Sequence, residues 1–289
     1  MKTALSLLAG LAALAVVGGY LGALHPLGDS LAVFRLQGAA VLGVLSALAL
    51  LAGAAGTGRL GMALALVVGV PILLSYQAEG REVAGGLRLY QKNMLFRNDD
   101  LAGLARDIAA AAPDVVMLQE VSKDNRTLLE TLKPDMPHQL HCAFTAVGGI
   151  AIATRLTPVA GAGLCADGLA AMQVEGPGGP LWLVSVHLYW PWPEGQADQV
   201  RTLLPVLEGL QGPVVMAGDF NMVRWSATVA TMALAARVQP AGAVHGTYTG
   251  FAPLLMLPID HVLAPGGGQA EVRGAFGSDH LGLLAEVRL

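Results

Sequence analysis

The chain has 289 residues, 54% of them hydrophobic and 13% charged, with a formal net charge of −4. That is too apolar for an ordinary soluble domain and too acidic for a protein that grips nucleic acid mainly by its phosphates. The imbalance is local. Residues 1–78 hold only Lys2, Asp29, Arg35 and Arg59 as charges, which leaves the rest 14 Lys+Arg against 20 Asp+Glu, a net of −6.

The apolar part reads as about three transmembrane helices, over residues 4–24, 38–55 and 60–76, the last broken by Pro71. A span takes roughly 17–25 apolar residues, so the first is comfortable and the other two are short. Their many Gly and Ala residues suit close helix packing in lipid. The first run also fits a cleaved signal peptide, with Lys2 ahead of it and small residues near Ala23. With three spans, Lys2 and Arg59 share one side, which the positive-inside rule makes cytoplasmic, and the chain past Tyr76 lies outside. Arg35 points the other way, and one re-entrant helix would move the domain to the cytoplasm.

Residues 79–86 are polar and glycine-rich and serve as a linker to a domain over 87–289. There the pattern predicts strands at 87–95, 115–118, 149–154, 181–187, 213–217, 259–263 and 283–287. Helices are predicted at 99–112, 196–210 and 224–238. Interleaved strands and helices give an α/β or mixed sandwich class. Cys142 and Cys165 flank the 149–154 strand. They either pair, as an oxidising compartment allows, or fill two small core positions.

Polar clusters sit at or just past the ends of several of these strands. They are Asn93, Gln119 with Glu120, His187, Asp219 with Asn221, Asp260 with His261, and Asp279 with His280. Singly, each has an ordinary reading as a turn, cap or core polar residue. Together they supply oxygen donors for a hard cation, a base, and imidazoles for negative oxygens. Asn221, two residues past Asp219, is expected to point the same way along an extended stretch.

The motifs occur in a fixed order: N-M-L at Asn93, L-Q-E-V at Glu120, G-I-A-I-A-T-R over 149–155, S-V-H-L at His187, G-D-F-N from Asp219, I-D-H-V at Asp260 and S-D-H-L at Asp279. This series resembles the endonuclease/exonuclease/phosphatase superfamily, the deoxyribonuclease-I-like phosphoesterases, over about residues 87–289. The resemblance implies a four-layer α/β sandwich, two packed mixed β-sheets flanked by helices, here preceded by the transmembrane segment. It implies one or two divalent ions, Mg2+ or Mn2+, at Asn93, Glu120 and Asp279. Asp219 matches the residue that activates the attacking water, and Asn221 would hold that water or a phosphate oxygen. His187 and His280 would bond phosphoryl oxygens, and Asp260 would orient a histidine and favour its charged form. His261 matches no role.

The layout, apolar helices followed by this domain, is similar to the actinomycete teicoplanin-resistance membrane phosphatases. That implies a multi-pass protein of the bacterial inner membrane with its catalytic domain on the periplasmic or extracellular side. Its partners would be the lipid bilayer and a phosphorylated, lipid-linked substrate such as undecaprenyl pyrophosphate. A nuclease acting on DNA or RNA is the second reading, disfavoured by the acidic charge and the lack of Lys/Arg runs. An inactive, membrane-tethered binding module is the third. The loops near Asn98 and over 127–142, 190–196 and 247–257 carry no readable substrate code. The aromatic run from Tyr189 to Trp192 suits either a membrane interface or packing over a sheet edge.

Overall fold

Apolar residues at every second position pair the chain into two packed sheets. In the computed structural model, residues 1–78, 85–252 and 255–289 are described, so the linker expected at 79–86 lies largely outside the described residues. Four helices come first: α1 (Lys2–Gly18), α2 (Leu27–Val33), α3 (Arg35–Leu51) and α4 (Ala55–Ser75). Then follow β1 (Leu87–Asn93), α5 (Leu101–Ala111), β2 (Val115–Val121), α6 (Thr127–Leu132), β3 (His138–Thr145), β4 (Gly148–Thr154), β5 (Pro158–Ala166), β6 (Leu169–Gly176) and β7 (Gly179–His187). The last elements are α7 (Gln196–Gly209), β8 (Val214–Asp219), α8 (Ala227–Ala236), β9 (Gln239–Pro240), β10 (Tyr248–Ala252), β11 (Leu255–Leu257), β12 (Asp260–Ala264), β13 (Gly268–Arg273) and β14 (Gly282–Val287).

One six-stranded sheet has the order β13-β14-β1-β2-β4-β3 and the other β5-β6-β7-β8-β12-β9. Each contains one parallel pair among antiparallel ones, β1 with β2 and β7 with β8. Side-chain parity assigns the faces. Leu89, Met117, Leu183, Val215 and Val262 meet in the core between the sheets. Tyr90, Val116 and Leu118 face the other way and pack on Leu104 and Ile108 of α5 and Leu128 of α6. Val184, Val186 and Met216 pack on Leu203 and Leu207 of α7 and Met232 of α8. This is the four-layer sandwich that the resemblance implies.

At the N-terminus, α4 is the one described helix that is by itself long and apolar enough to cross a membrane. α2 and α3 pass that test only together and are bent by 70°. The run expected as a first span over 4–24 is helical only to Gly18, after which the chain turns back through Gly19 and Pro26. The helices pack closely: a Cβ on Gly61 would lie 2.2 Å from Ser46 Oγ, the small-residue contact expected of helices in lipid.

Cys142 and Cys165 pair in a disulfide. It joins β3, an edge strand of one sheet, to β5, an edge strand of the other. The bond spans 23 residues of sequence, so reduction should cost about 3 kcal/mol by closed-loop entropy. A melt with and without reductant checks this; coincident curves would show that the staple contributes nothing.

Candidate active site

Both parallel pairs end at one rim of the sandwich, and parity turns their last residues inward. Asn93 follows Leu89 and Gln91 on the inner face of β1, His187 follows Leu183 and Ser185 on β7, and Asp219 follows Val215 and Ala217 on β8. In register, His187 lies opposite Asp219 and Asp219 opposite Asp260. β12 runs antiparallel to β8, so its first residue, Asp260, arrives at the same rim. Parity sends His261 outward instead. Its Nε2 lies 2.7 Å from the Met222 carbonyl and its ring packs on Phe220, which accounts for its lack of a matching role.

Glu120 breaks the alternation. Its φ is 56°, and the pairing of β2 with β4 shifts register between Gln119 and Val121. A bulge of this kind re-aims a side chain, and here it turns the carboxylate into the cleft. Asn221 also adopts a left-handed conformation, with φ 47°, so it does not follow Asp219 along an extended stretch as expected. The chain turns there because Asp219 Oδ1 accepts the Asn221 N–H at 2.8 Å, while Asn221 Nδ2 donates to the Leu188 carbonyl. With Leu95, whose φ is 61°, three non-glycine residues of positive φ line one cleft, which marks backbone strain held by a site.

Glu120, His187, Asp219 and Asn221, with Asp279 and His280, line a cleft of about 400 Å³. Asp219 Oδ2 sits between two imidazoles, 3.7 Å from His187 Nε2 and 3.6 Å from His280 Nε2. Asn93 Nδ2 bridges the carboxylates, donating to Glu120 Oε1 at 3.1 Å and to Asp219 Oδ2 at 3.0 Å. His280 Nδ1 is 2.8 Å from Asp260 Oδ2, and the other Asp260 oxygen accepts from Gln91 Nε2. Gln91 also donates to Gln119, and Gln119 to Ser185. A buried polar chain thus runs under the site and fixes Asp260.

Burial sets the electrostatics. It opposes charge on His280, but Asp260 and then Asp219 outweigh it and hold the imidazole up at about 9. For His187 burial wins, helped by the charge on His280, and brings it down to about 4, so its ring is neutral. Burial and then the Asp260 charge push Asp219 upward, against the pull of His280. A base of raised pKa in a desolvated cleft is suited to taking a proton from water near neutral pH.

Glu120 and Asp279 line the same cleft and, with Asn93 beside Glu120, offer oxygen donors of the kind a hard divalent cation takes. Burial leads the upward push on Glu120, and Asp279 adds to it, so the negative charge there is under-compensated despite the Phe96 N–H and Asn93. Asn93 Oδ1 accepts the Leu95 N–H and keeps a second lone pair. Asp219, Asp260 and His280 also bring ligand-capable atoms within 4.8 Å of one another. In that trio both Asp260 oxygens and His280 Nδ1 are already engaged, and on the other side both Glu120 oxygens accept hydrogen bonds as well.

Three features of the site went unread in the sequence. Lys92, fully buried, donates to the carbonyls of Gly274, Ala275 and His280 and holds the loop that carries Asp279 and His280. Tyr248 packs at a tilt against His280 with ring centroids 4.8 Å apart, and Phe144 meets the His187 ring edge-on. A lysine in an apolar strand beside the metal motif was the available signal; Tyr248 lies in the 247–257 loop but nothing marked it by type, and nothing marked Phe144. Asn98 itself ties Met94 and Phe276 together, while its neighbours Phe96 and Arg97 line the cleft. Gly218 is required by space: a Cβ there would lie 2.0 Å from the Val186 carbonyl oxygen. Gly218→Ala should cost about 3 kcal/mol or more. A denaturant melt with a midpoint near that of the parent would contradict this.

Residues 90–280 match the Endonuclease/Exonuclease/phosphatase family. The chain belongs to that family. It is a phosphoester hydrolase of this class, and its fold recurs in solved structures. An endonuclease/exonuclease/phosphatase protein from Beutenbergia cavernae is 22% identical with a TM-score of 0.56, covering 70% of this chain and 71% of its own. Sphingomyelinase C from Streptomyces griseocarneus is 19% identical with a TM-score of 0.52, covering 71% of this chain and all of its own, 100%. A Staphylococcus aureus beta toxin variant with bound magnesium ions is 14% identical, TM-score 0.52, covering 70% of this chain and 100% of its own. No curated protein matches the chain in sequence.

Proposed function

We propose that this family member is a membrane-anchored, divalent-metal-dependent phosphoesterase that attacks a lipid-linked phosphate ester or pyrophosphate with water. The observation that carries the reaction is Asp219 Oδ2 held between two imidazoles and the Asn93 amide, beside Glu120. Asp219 takes the proton of the attacking water, and Asn221 helps hold that water. His280, charged, and His187, neutral, donate through Nε2 to the phosphoryl oxygens as charge builds. Glu120, Asp279 and Asn93 would hold Mg2+ or Mn2+, which supplies neutralisation of the phosphoryl charge.

Support for a lipid-linked substrate comes from the cleft's surroundings. Trp190, which lines the cleft, is 39% exposed, Trp192 two residues on is 47% and Phe251, in the strand that starts at the cleft-lining Tyr248, is 52%; Arg97 is the one Lys or Arg among the described residues lining the cleft. Aromatic rings favour a membrane interface, whereas a nuclease needs cationic contacts. For location we propose a multi-pass protein of the bacterial inner membrane with the domain on the outer side. Lys2 and Arg59 lie at helix ends away from the domain, and the disulfide belongs to an oxidising compartment.

The test is phosphate release from undecaprenyl pyrophosphate by full-length protein in detergent. Release should need Mg2+, stop with a chelator, return on adding the metal, and fail in Asp219→Ala. Plasmid nicking at low salt, with no phosphate released from the lipid, would give the site to the nuclease reading.

A further inference from the structure

The two charges that interrupt the apolar segment, Asp29 and Arg35, do not face lipid. Both are 5% exposed and sit against the catalytic domain. Asp29 Oδ1 and Oδ2 accept the backbone N–H groups of Ala227 and Thr228, each at 2.9 Å, and so close the first turn of α8 nearly two hundred residues along the chain. Arg35 lies on the Tyr20 ring, donates to the Gly19 carbonyl, and reaches the Trp225 carbonyl at 3.4 Å. Trp225 answers through Nε1, which donates to the Ala32 carbonyl at 2.8 Å. A further tie comes from the end of α4, where the Ser75 carbonyl accepts the Val244 N–H at 2.9 Å. α2, the start of α3 and the end of α4 therefore all meet the domain.

The same helix ends touch two loops beside the catalytic cleft. Ser30 Oγ donates to the Trp192 carbonyl at 2.8 Å, and His25 lies edge-on to the Trp192 ring. Phe34, at the break between α2 and α3, meets Phe251 of β10 at 5.3 Å. Tyr248, at the start of β10, packs at a tilt against His280, and Trp190 meets Tyr248 edge-on. Ring contacts and short loops thus connect the apolar helices to the catalytic histidine on both sides of the cleft.

We propose that Asp29 and Arg35 form a dock that seats the catalytic domain rigidly on the membrane helices, with Trp192 and Phe251, on the loop and strand that carry the cleft-lining Trp190 and Tyr248, held at the bilayer surface. The dock is a specificity device. It presents the cleft to amphiphilic phosphates whose hydrocarbon stays in the bilayer, and leaves the chemistry itself untouched. A buried carboxylate saturated by two backbone N–H groups, and a guanidinium fixed by carbonyls and a ring, define one orientation where a flexible tether would define none. This inference rests on the membrane-anchored phosphoesterase reading for its substrate and on the contacts alone for its geometry.

The experiment has two arms, both with full-length protein in phosphatidylcholine vesicles. The first compares a long-chain polyprenyl pyrophosphate in the vesicles with water-soluble geranyl pyrophosphate, which carries the same head group. Asp29→Ala should lower kcat/KM for the vesicle-borne substrate tenfold or more and leave the soluble one within twofold. Ser30→Ala, which removes only the tie to Trp192, should show a smaller loss with the same selectivity. The second arm places an environment-sensitive dye at position 192 through Trp192→Cys and adds shallow spin-labelled lipid. The dye should be quenched, and the quenching should fall when Asp29→Ala is added. Equal losses on both substrates, no loss on either, or no quenching in the parent background would overturn the dock. If the parent hydrolyses neither pyrophosphate, the substrate reading fails, and the quenching arm still decides the geometry.

Discussion

Asp219→Asn should lower kcat by about 10³-fold or more while leaving the fold intact, because general-base loss alone is worth roughly 10²–10⁴ and Asp219 is the group to which the site converges. Asn93, His187, His280 and Asn221 all address its carboxylate. The asparagine keeps an oxygen for the Asn221 N–H, so the turn after β8 survives. It cannot take a proton from water. Stability should change little: the substitution removes the burial cost of the Asp219 anion, but it also removes the pull of His280 and turns an amide NH2 toward the Asn93 NH2. The check is kcat beside a thermal melt, with Mg2+ affinity by calorimetry. A loss of tenfold or less in a protein with an unchanged melt would mean that another group activates the water.

Much of this site could be read before any coordinates, and the reason is parity. Asn93, His187, Asp219 and Asp260 terminate strands whose apolar residues alternate, so each inherits the inward face from the residues two and four positions away. The same rule turns His261 away. Where the backbone leaves regular geometry the sequence is silent. The bulge that aims Glu120 and the left-handed turn at Asn221 appear only as φ values of 56° and 47°. Strands β3, β5, β6 and β13 were not read, since they sit at or near sheet edges or are Gly- and Ala-rich, and lack a clear apolar alternation. The apolar N-terminus gave its helices but not their ends, because α2 exists to present Asp29 and Trp192's partner Ser30, and those contacts are tertiary. Arg35, read as a weak topology signal, is a buried contact instead.

Asp260→Asn should have the next largest effect, and it should change shape with pH. In the parent, Asp260 and Asp219 overcome burial and hold His280 at about 9 against an ordinary 6.5. An activity that needs charged His280 therefore persists through neutral pH and falls as pH rises through about 9. The asparagine withdraws the largest favourable charge, and burial then carries the pKa back down. At neutral pH the imidazole is largely uncharged, and kcat should drop by roughly 10²–10³, the range for one lost transition-state donor. The loss should shrink at acid pH, as His280 regains its proton, until Asp219 itself protonates. Stability follows the same linkage. A histidine whose folded pKa is raised contributes stability that is fully present below its unfolded value and is lost as pH rises through the folded one. The parent's melting temperature should thus decline between about pH 6.5 and 9, and the variant's should lack that slope. Profiles of kcat and melting temperature that stay parallel for the two proteins would show that Asp260 positions His280 without setting its charge.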